Sequence, residues 1–108
     1  MARQADGLAQ ILKVLSVGAR VRIVQLLKGR VLCVGALASQ LDVTQGAVSQ
    51  HLRVMRDAGL VIDEKRGYFV HYRLNERTLA KWREQIDGLL APGLTVECRC
   101  SKRSRRES

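Results

Sequence analysis

Two groups of residues in this 108-residue chain are equipped for chemistry: its three cysteines and the polar face of one helix. Cys98 and Cys100 are separated by a single residue, so in extended backbone their thiols point to the same side and can grip a soft ion together. Cys33 is able to supply a third sulfur. Three is too few, and the wrong parity, for a disulfide framework, so the cysteines are core, ligand or sensor. The plain alternative is that Cys33 is a buried core residue, as free cysteines usually are, and that the tail pair is incidental. The polar face carries Gln45, Ser49, Gln50 and Arg53. Glutamine pairs in bidentate fashion with adenine and arginine with guanine, so such a row suits base edges in a duplex groove. The bland reading of the same row is a solvated helix surface. No nucleophile beside a base, Gly-rich phosphate loop or carboxylate pair points to an enzyme.

The charge balance favours the first reading. Nineteen Lys and Arg against ten Asp and Glu give a net charge of +9, which calls for a polyanionic partner, nucleic acid before an anionic membrane. Charged residues interrupt every apolar run well before the roughly 18 residues that span a bilayer. The opening MARQADGLAQ lacks the apolar core of a secretory leader, so a cytoplasmic protein with reduced thiols is expected. A chain of this length holds one domain.

Hydrophobic spacing supplies the elements that would position these residues. Leu8, Ile11, Leu12 and Leu15 mark a helix over about Asp6 to Ser16. Val21, Val24 and Leu27, joined by Ile23 and Leu26, mark a second, ended by Gly29 in a left-handed conformation. Arg30 to Val34 reads as a short connection. Val34, Leu37, Ala38 and Leu41 mark a third helix, and after a turn at Asp42 to Thr44 a fourth begins with Thr44 as its N-cap and runs to about Ala58-Gly59. Advancing about 100° per residue puts Val48, Leu52 and Met55 on one face of that helix and Gly46, Ser49, Gln50, Arg53 and Asp57 on the other. His51 falls on the flank, where packing against the third helix is expected to outweigh phosphate contact. Leu60 to Arg66 and Tyr68 to Leu74 read as strands of a hairpin around Gly67, with Lys65 and Arg66 at its tip to grip phosphates and His71 in a structural role. Leu79, Trp82, Ile86 and Leu89 mark a last helix over Glu76 to Leu90, stopped by Pro92-Gly93. The fold class is therefore mainly α with a small β-hairpin, in a domain over 1–92, followed by a mobile basic tail over 93–108.

The stretch LASQLDVTQGAVSQHLRVMRDAGLVIDEKRGYFVHYRL, Leu37 to Leu74, resembles the ArsR/SmtB family of bacterial winged-helix metalloregulatory repressors, with VSQHLRVMRDAGLV, Val48 to Val61, as the most specific run. The resemblance implies a winged helix-turn-helix homodimer, joined through its first and last helices, that binds a palindromic double-stranded operator and leaves it when an inducer binds. It also implies where the chain departs from its kin. Arsenic-responsive members carry a motif like Glu-Leu-Cys-Val-Cys-Asp-Leu at the third helix, whereas residues 31 to 37 read Val-Leu-Cys-Val-Gly-Ala-Leu. Cys33 stands at the sensor position and Gly35 replaces the second cysteine. The zinc-type site on the last helix is absent, because Glu76 to Leu90 contains no histidine.

With Cys33, Cys98 and Cys100 as the metal ligands, the inducer expected is As(III) or Sb(III), which take three thiolates, rather than zinc, which favours four ligands. Cadmium and lead are alternatives, as is a thiol-redox or persulfide switch between Cys33 and a tail cysteine. No permanent cofactor is expected. Arg53→Ala is expected to cost roughly 1–3 kcal/mol on a specific duplex and less on a scrambled one. Equal losses in paired titrations at one salt concentration would reassign Arg53 to the phosphate backbone.

Overall fold

A computed structural model describes residues 2–99 of the chain. The order of elements is α1 (Ala2–Leu15), α2 (Gly18–Leu27), β1 (Leu32–Cys33), α3 (Val34–Leu41), α4 (Gln45–Asp57), β2 (Val61–Arg66), β3 (Phe69–Leu74) and α5 (Glu76–Leu90). Five helices and one small antiparallel sheet fit the α-rich class expected. The expected tail is described as far as Arg99; from residue 91 it is exposed and without helix or strand. Cys100 and the basic residues Lys102 and Arg103 lie outside the described residues.

The core forms where the apolar faces of α2, α3 and α4 meet the base of the sheet. Ile23, Leu27, Leu37, Val48, Leu52, Met55 and Leu60 are its most completely enclosed side chains. Val48, Leu52 and Met55 are the three residues that the helical period had grouped together, and none exposes any surface. On α2 the period is less exact a guide. Ile23 and Leu27, four residues apart, form the buried pair, while Val21 is 40% exposed. On α1 likewise, Ile11 and Val14 turn inward and Leu12 outward.

Capping sets the ends of the two central helices. α3 closes through Asp42 N–H to Ser39 O at 3.4 Å and Val43 N–H to Ala38 O at 3.2 Å. Asp42 adopts φ +58 there, a left-handed conformation that Asp tolerates better than most residues. Thr44 then accepts from Ala47 N–H at 3.1 Å and starts α4, as expected from its type. α4 ends in the two bonds of a Schellman motif, Gly59 N–H to Arg56 O and Leu60 N–H to Met55 O, both 2.9 Å. Gly59 sits at φ +80 and turns the chain directly into β2.

Two sequence expectations change. Residues 30–34 are more than a connection: Leu32 and Cys33 form β1, which pairs antiparallel with β3, so the sheet has three strands in the order β1-β3-β2. The hairpin turn also shifts by one residue. Arg66 pairs with Phe69, leaving Gly67 and Tyr68 as a two-residue loop with Gly67 at φ +64, the conformation a type II′ turn requires at its first central residue. Tyr68 therefore belongs to the tip and not to the strand.

Helix α1 also begins four residues earlier than the periodicity indicated, and α2 begins at Gly18, before its first apolar residue. The stripe on α5 divides: Trp82 is buried, Leu79 and Ile86 pack on the core from its edge, and Leu89 is 54% exposed. Among the described residues no helix is long and apolar enough to cross a membrane.

The fold makes a graded stability prediction. Leu52→Ala opens a cavity in the centre of the core and is expected to cost about 2–5 kcal/mol, whereas Thr44→Ala removes one exposed cap and should cost about 1 kcal/mol. Urea unfolding of the two variants measures the ratio. Comparable losses would mean that α4 is not held by its buried face.

Candidate nucleic-acid interface and thiol site

With Val48, Leu52 and Met55 locked inward, the opposite face of α4 can only point to solvent. Gln45, Ser49, Gln50 and Arg53 are all exposed there, as the sequence predicts. Gly46, at the head of the helix, has only Thr44 Oγ1 near the place a Cβ would take, at 4.0 Å, so the first turn has a low profile. His51 is half-buried on the flank. Its hydrogen bond goes to α2 rather than to the third helix: Arg20 Nε donates to His51 Nδ1 at 3.2 Å. Arg20 carried no periodic or motif signal, and its role was not foreseen.

The wing presents basic and aromatic groups together. Lys65 and Arg66 are exposed near its end, Tyr68 is 98% exposed and Phe69 63%. The two cations differ in how free they are. Arg66 Nη2 donates to Glu64 Oε2 at 3.4 Å, and Arg73 Nε donates to Glu64 Oε1 at 3.1 Å from the neighbouring strand. Lys65 makes no ion pair among the described residues. At the base of the wing Arg56 Nη1 meets Asp63 Oδ2 at 3.3 Å, tying the last turn of α4 to β2. These pairs are exposed and individually weak, so their effect is to orient side chains more than to stabilise the fold.

The cysteines are distributed differently from the simplest expectation. Cys33 is free and half-buried, the last residue of β1 and at the same time the N-cap of α3, with its side chain making no cap hydrogen bond. It faces His71 across the β1–β3 pair, and Glu64 faces His71 from the other side. Among the described residues His71 Nδ1 is buried with no hydrogen-bond partner. The sulfur also lies at the foot of the reading helix. A Cβ at Gly35 would stand 4.0 Å from Cys33 Sγ and 3.6 Å from Gln45 Nε2, so both atoms border the same small space. Cys98 is disulfide-bonded and exposed, and Cys100 lies outside the described residues. Among the described residues no three of His, Cys, Asp and Glu come together to hold a metal.

A reading helix backed by a helix-turn-helix core and flanked by a β-wing defines a DNA-binding regulator of the winged-helix class. Comparison with known proteins narrows the class. Residues 18–63 match the model of the bacterial regulatory protein, arsR family. The chain is 42% identical over 79 residues to the arsenical resistance operon repressor of Escherichia coli, a match covering 71% of this chain and 66% of that protein. It is 39% identical over 75 residues to the HTH-type transcriptional repressor SmtB of Mycobacterium tuberculosis, covering 69% of this chain and 56% of that one. The matched part thus spans less than two thirds of these two relatives. Among solved structures, reduced HlyU from Vibrio cholerae superposes with a TM-score of 0.69 at 30% identity, over 85% of this chain and 97% of that one. The chain belongs to the arsR family of bacterial regulatory proteins, a family of DNA-binding transcriptional regulators and not of enzymes.

Glu64 offers a measurable handle on the wing. Its carboxyl is held below the usual 4.5, first by the hydrogen bond from Arg73, opposed by partial desolvation and reinforced by the nearby charge of Arg66. A depressed carboxylate contributes stability above its unfolded value and loses it as pH falls through the folded one. Wing order is therefore expected to be maintained at neutral pH and to loosen only below about 4.5. In an NMR titration, Arg73→Ala should move the Glu64 midpoint upward. An unchanged midpoint would show that the Arg73 contact does not persist in solution.

Proposed function

We propose that the protein is a cytoplasmic transcriptional repressor that binds double-stranded operator DNA as a homodimer and releases it when a thiophilic metalloid, arsenite or antimonite, binds cysteine thiolates. The observation that carries the DNA half is the row Gln45, Ser49, Gln50 and Arg53, exposed on a helix whose other face is enclosed, beside a wing whose Lys65 makes no ion pair among the described residues. Gln45, Ser49, Gln50 and Arg53 take the base edges in this reading, with His51, Lys65 and Arg66 on phosphates. The second copy has an apolar surface to meet: Leu12 on α1 and Leu89 and Leu90 on α5 are exposed on the two helices assigned to the dimer.

The sensing half rests on Cys33. Its relative in Escherichia coli is an arsenical resistance operon repressor, and here the sulfur shares a space with the Gln45 side chain at the first turn of α4. A metalloid seated on Cys33 would crowd that side chain and shift the start of the reading helix. One sulfur does not hold As(III), so Cys98 and Cys100 complete the set in this reading, which requires the tail reduced. A second reading on the same scaffold is a thiol-redox or persulfide switch between Cys33 and a tail cysteine; with Cys98 disulfide-bonded and Cys33 free, it requires that bond to exchange.

One series of titrations separates these readings. A specific duplex and its scrambled counterpart are compared at fixed salt, and equal affinities would refute a sequence-reading repressor. The protein–operator complex is then challenged with arsenite, antimonite, cadmium, lead, zinc and an oxidant. Release by arsenite in the wild type, lost when Cys33, Cys98 and Cys100 are all changed to Ser, supports the thiolate site; release that survives the triple change refutes it. Release by the oxidant alone selects the redox reading. Gly35→Cys, which has ordinary room beside Cys33, is expected to lower the arsenite concentration needed for release.

A further inference from the structure

We propose that Arg20, on α2, is a positioning residue for DNA binding: it fixes the ring of His51 so that Nε2–H is offered as a donor to a backbone phosphate. The inference rests on the DNA-reading role of α4 and adds to it a residue outside the reading head.

A guanidinium has N–H donors and no acceptor. The 3.2 Å contact from Arg20 Nε to His51 Nδ1 therefore requires Nδ1 to be the unprotonated nitrogen. A neutral imidazole has one proton, so it must reside on Nε2. An unconstrained histidine would instead exchange both tautomers and rotate about its side-chain bonds. Nε2 makes no hydrogen bond within the described residues, yet only His71 Nδ1 is a buried unpartnered side-chain atom there, so His51 Nε2 keeps solvent access. The ring lies on the flank of α4, beside the exposed row and turned by Arg20 from the protein side. A polar N–H at the edge of a reading face is placed for phosphate, and phosphate contacts set the register in which base-reading side chains meet their bases.

Arg20 is itself held firmly. Its Nη1 donates to Val14 O at 3.3 Å, one of the carbonyls in the last turn of α1 that lack a partner within the helix. One side chain thus joins the end of α1, its own α2 and the flank of α4. Such a half-buried arginine is fully consistent with structural capping alone, and the tests must therefore read the histidine and not only stability.

The free protein gives the first reading, independent of DNA. Imidazole 15N shifts of neutral His51, recorded at alkaline pH, are expected to show the Nε2–H tautomer in the wild type and a mixture in Arg20→Met. An unchanged tautomer in Arg20→Met would overturn the proposal. The second reading is affinity for the specific duplex. Losing a hydrogen bond to phosphate in His51→Phe should weaken binding roughly tenfold. Arg20→Met should cause a similar loss in the wild-type background and almost none on top of His51→Phe; additive losses would show that Arg20 acts elsewhere.

His51→Gln tests the same chemistry without touching Arg20. Its carbonyl can accept from Arg20 while its amide donates to phosphate, so affinity should stay within about threefold of wild type. If His51→Gln is as damaging as His51→Phe, the accept-and-donate role is wrong, whether or not Arg20→Met folds well enough to be assayed. Absence of specific binding by the wild type would instead refute the DNA reading and leave the tautomer result standing.

Discussion

Burial of Val48, Leu52 and Met55 against Ile23, Leu27 and Leu37 is the contact on which the rest of the molecule depends. Those three residues of α4 occupy one sector of a helix, and a helix has no freedom to bury one sector without presenting the opposite one. Enclosing them therefore orients Gln45, Ser49, Gln50 and Arg53 toward solvent in one step. The same core receives Leu60, Val61 and Leu74 from the base of the sheet, so the wing is anchored to the mass that holds the reading helix. The Schellman closure at Gly59 leaves no slack between them. A regulator of this kind needs helix and wing to move as one body, and a shared core delivers that more reliably than the exposed ion pair of Arg56 with Asp63.

Much of this was legible in the sequence because α4 and the hairpin have strong and different periods. Three apolar residues at four- and three-residue spacing, followed by an alternating β-branched and aromatic run, define a helix and a ribbon without reference to any partner. Elements with too few residues to show a period were not legible. β1 has two residues, and it exists only because β3 offers an unpaired edge; nothing local distinguishes Leu32-Cys33 from loop. Faces were misjudged where a helix carries more apolar residues than it buries. Leu12 and Val21 fit their stripes as well as Ile11 and Ile23 do, and the tertiary partner alone chooses between them. The exposed row of the candidate site followed from its angles, but the Arg20–His51 bond spans 31 residues and has no sequence signature at all.

Net charge would have been a poor guide to where a polyanion sits. Of the arginines around the wing, Arg56, Arg66 and Arg73 each face a carboxylate, so local acids offset much of the positive potential of the sheet. Among the described residues Lys65 and Arg53 make no such pairs, so their charges stay available to a polyanion. Counterion release scales with the phosphates actually neutralised and not with the total of +9.

The location of Cys33 bears on how a small ligand could act on so large a surface. Energetic coupling requires that the ligand distinguish two arrangements of the protein, and that DNA distinguish them too. Cys33 joins β1 to α3 and borders the space that also holds the end of the Gln45 side chain. In the proposed reading, a group added to that sulfur would compete for volume with the Gln45 side chain, so it and DNA would favour different positions of the first turn of α4. If the proposed metalloid acts there, reciprocity follows: whatever factor it removed from operator affinity, the operator would remove from its affinity. Gly35 is part of this argument, since the absence of a side chain there is what leaves Cys33 and Gln45 facing the same space.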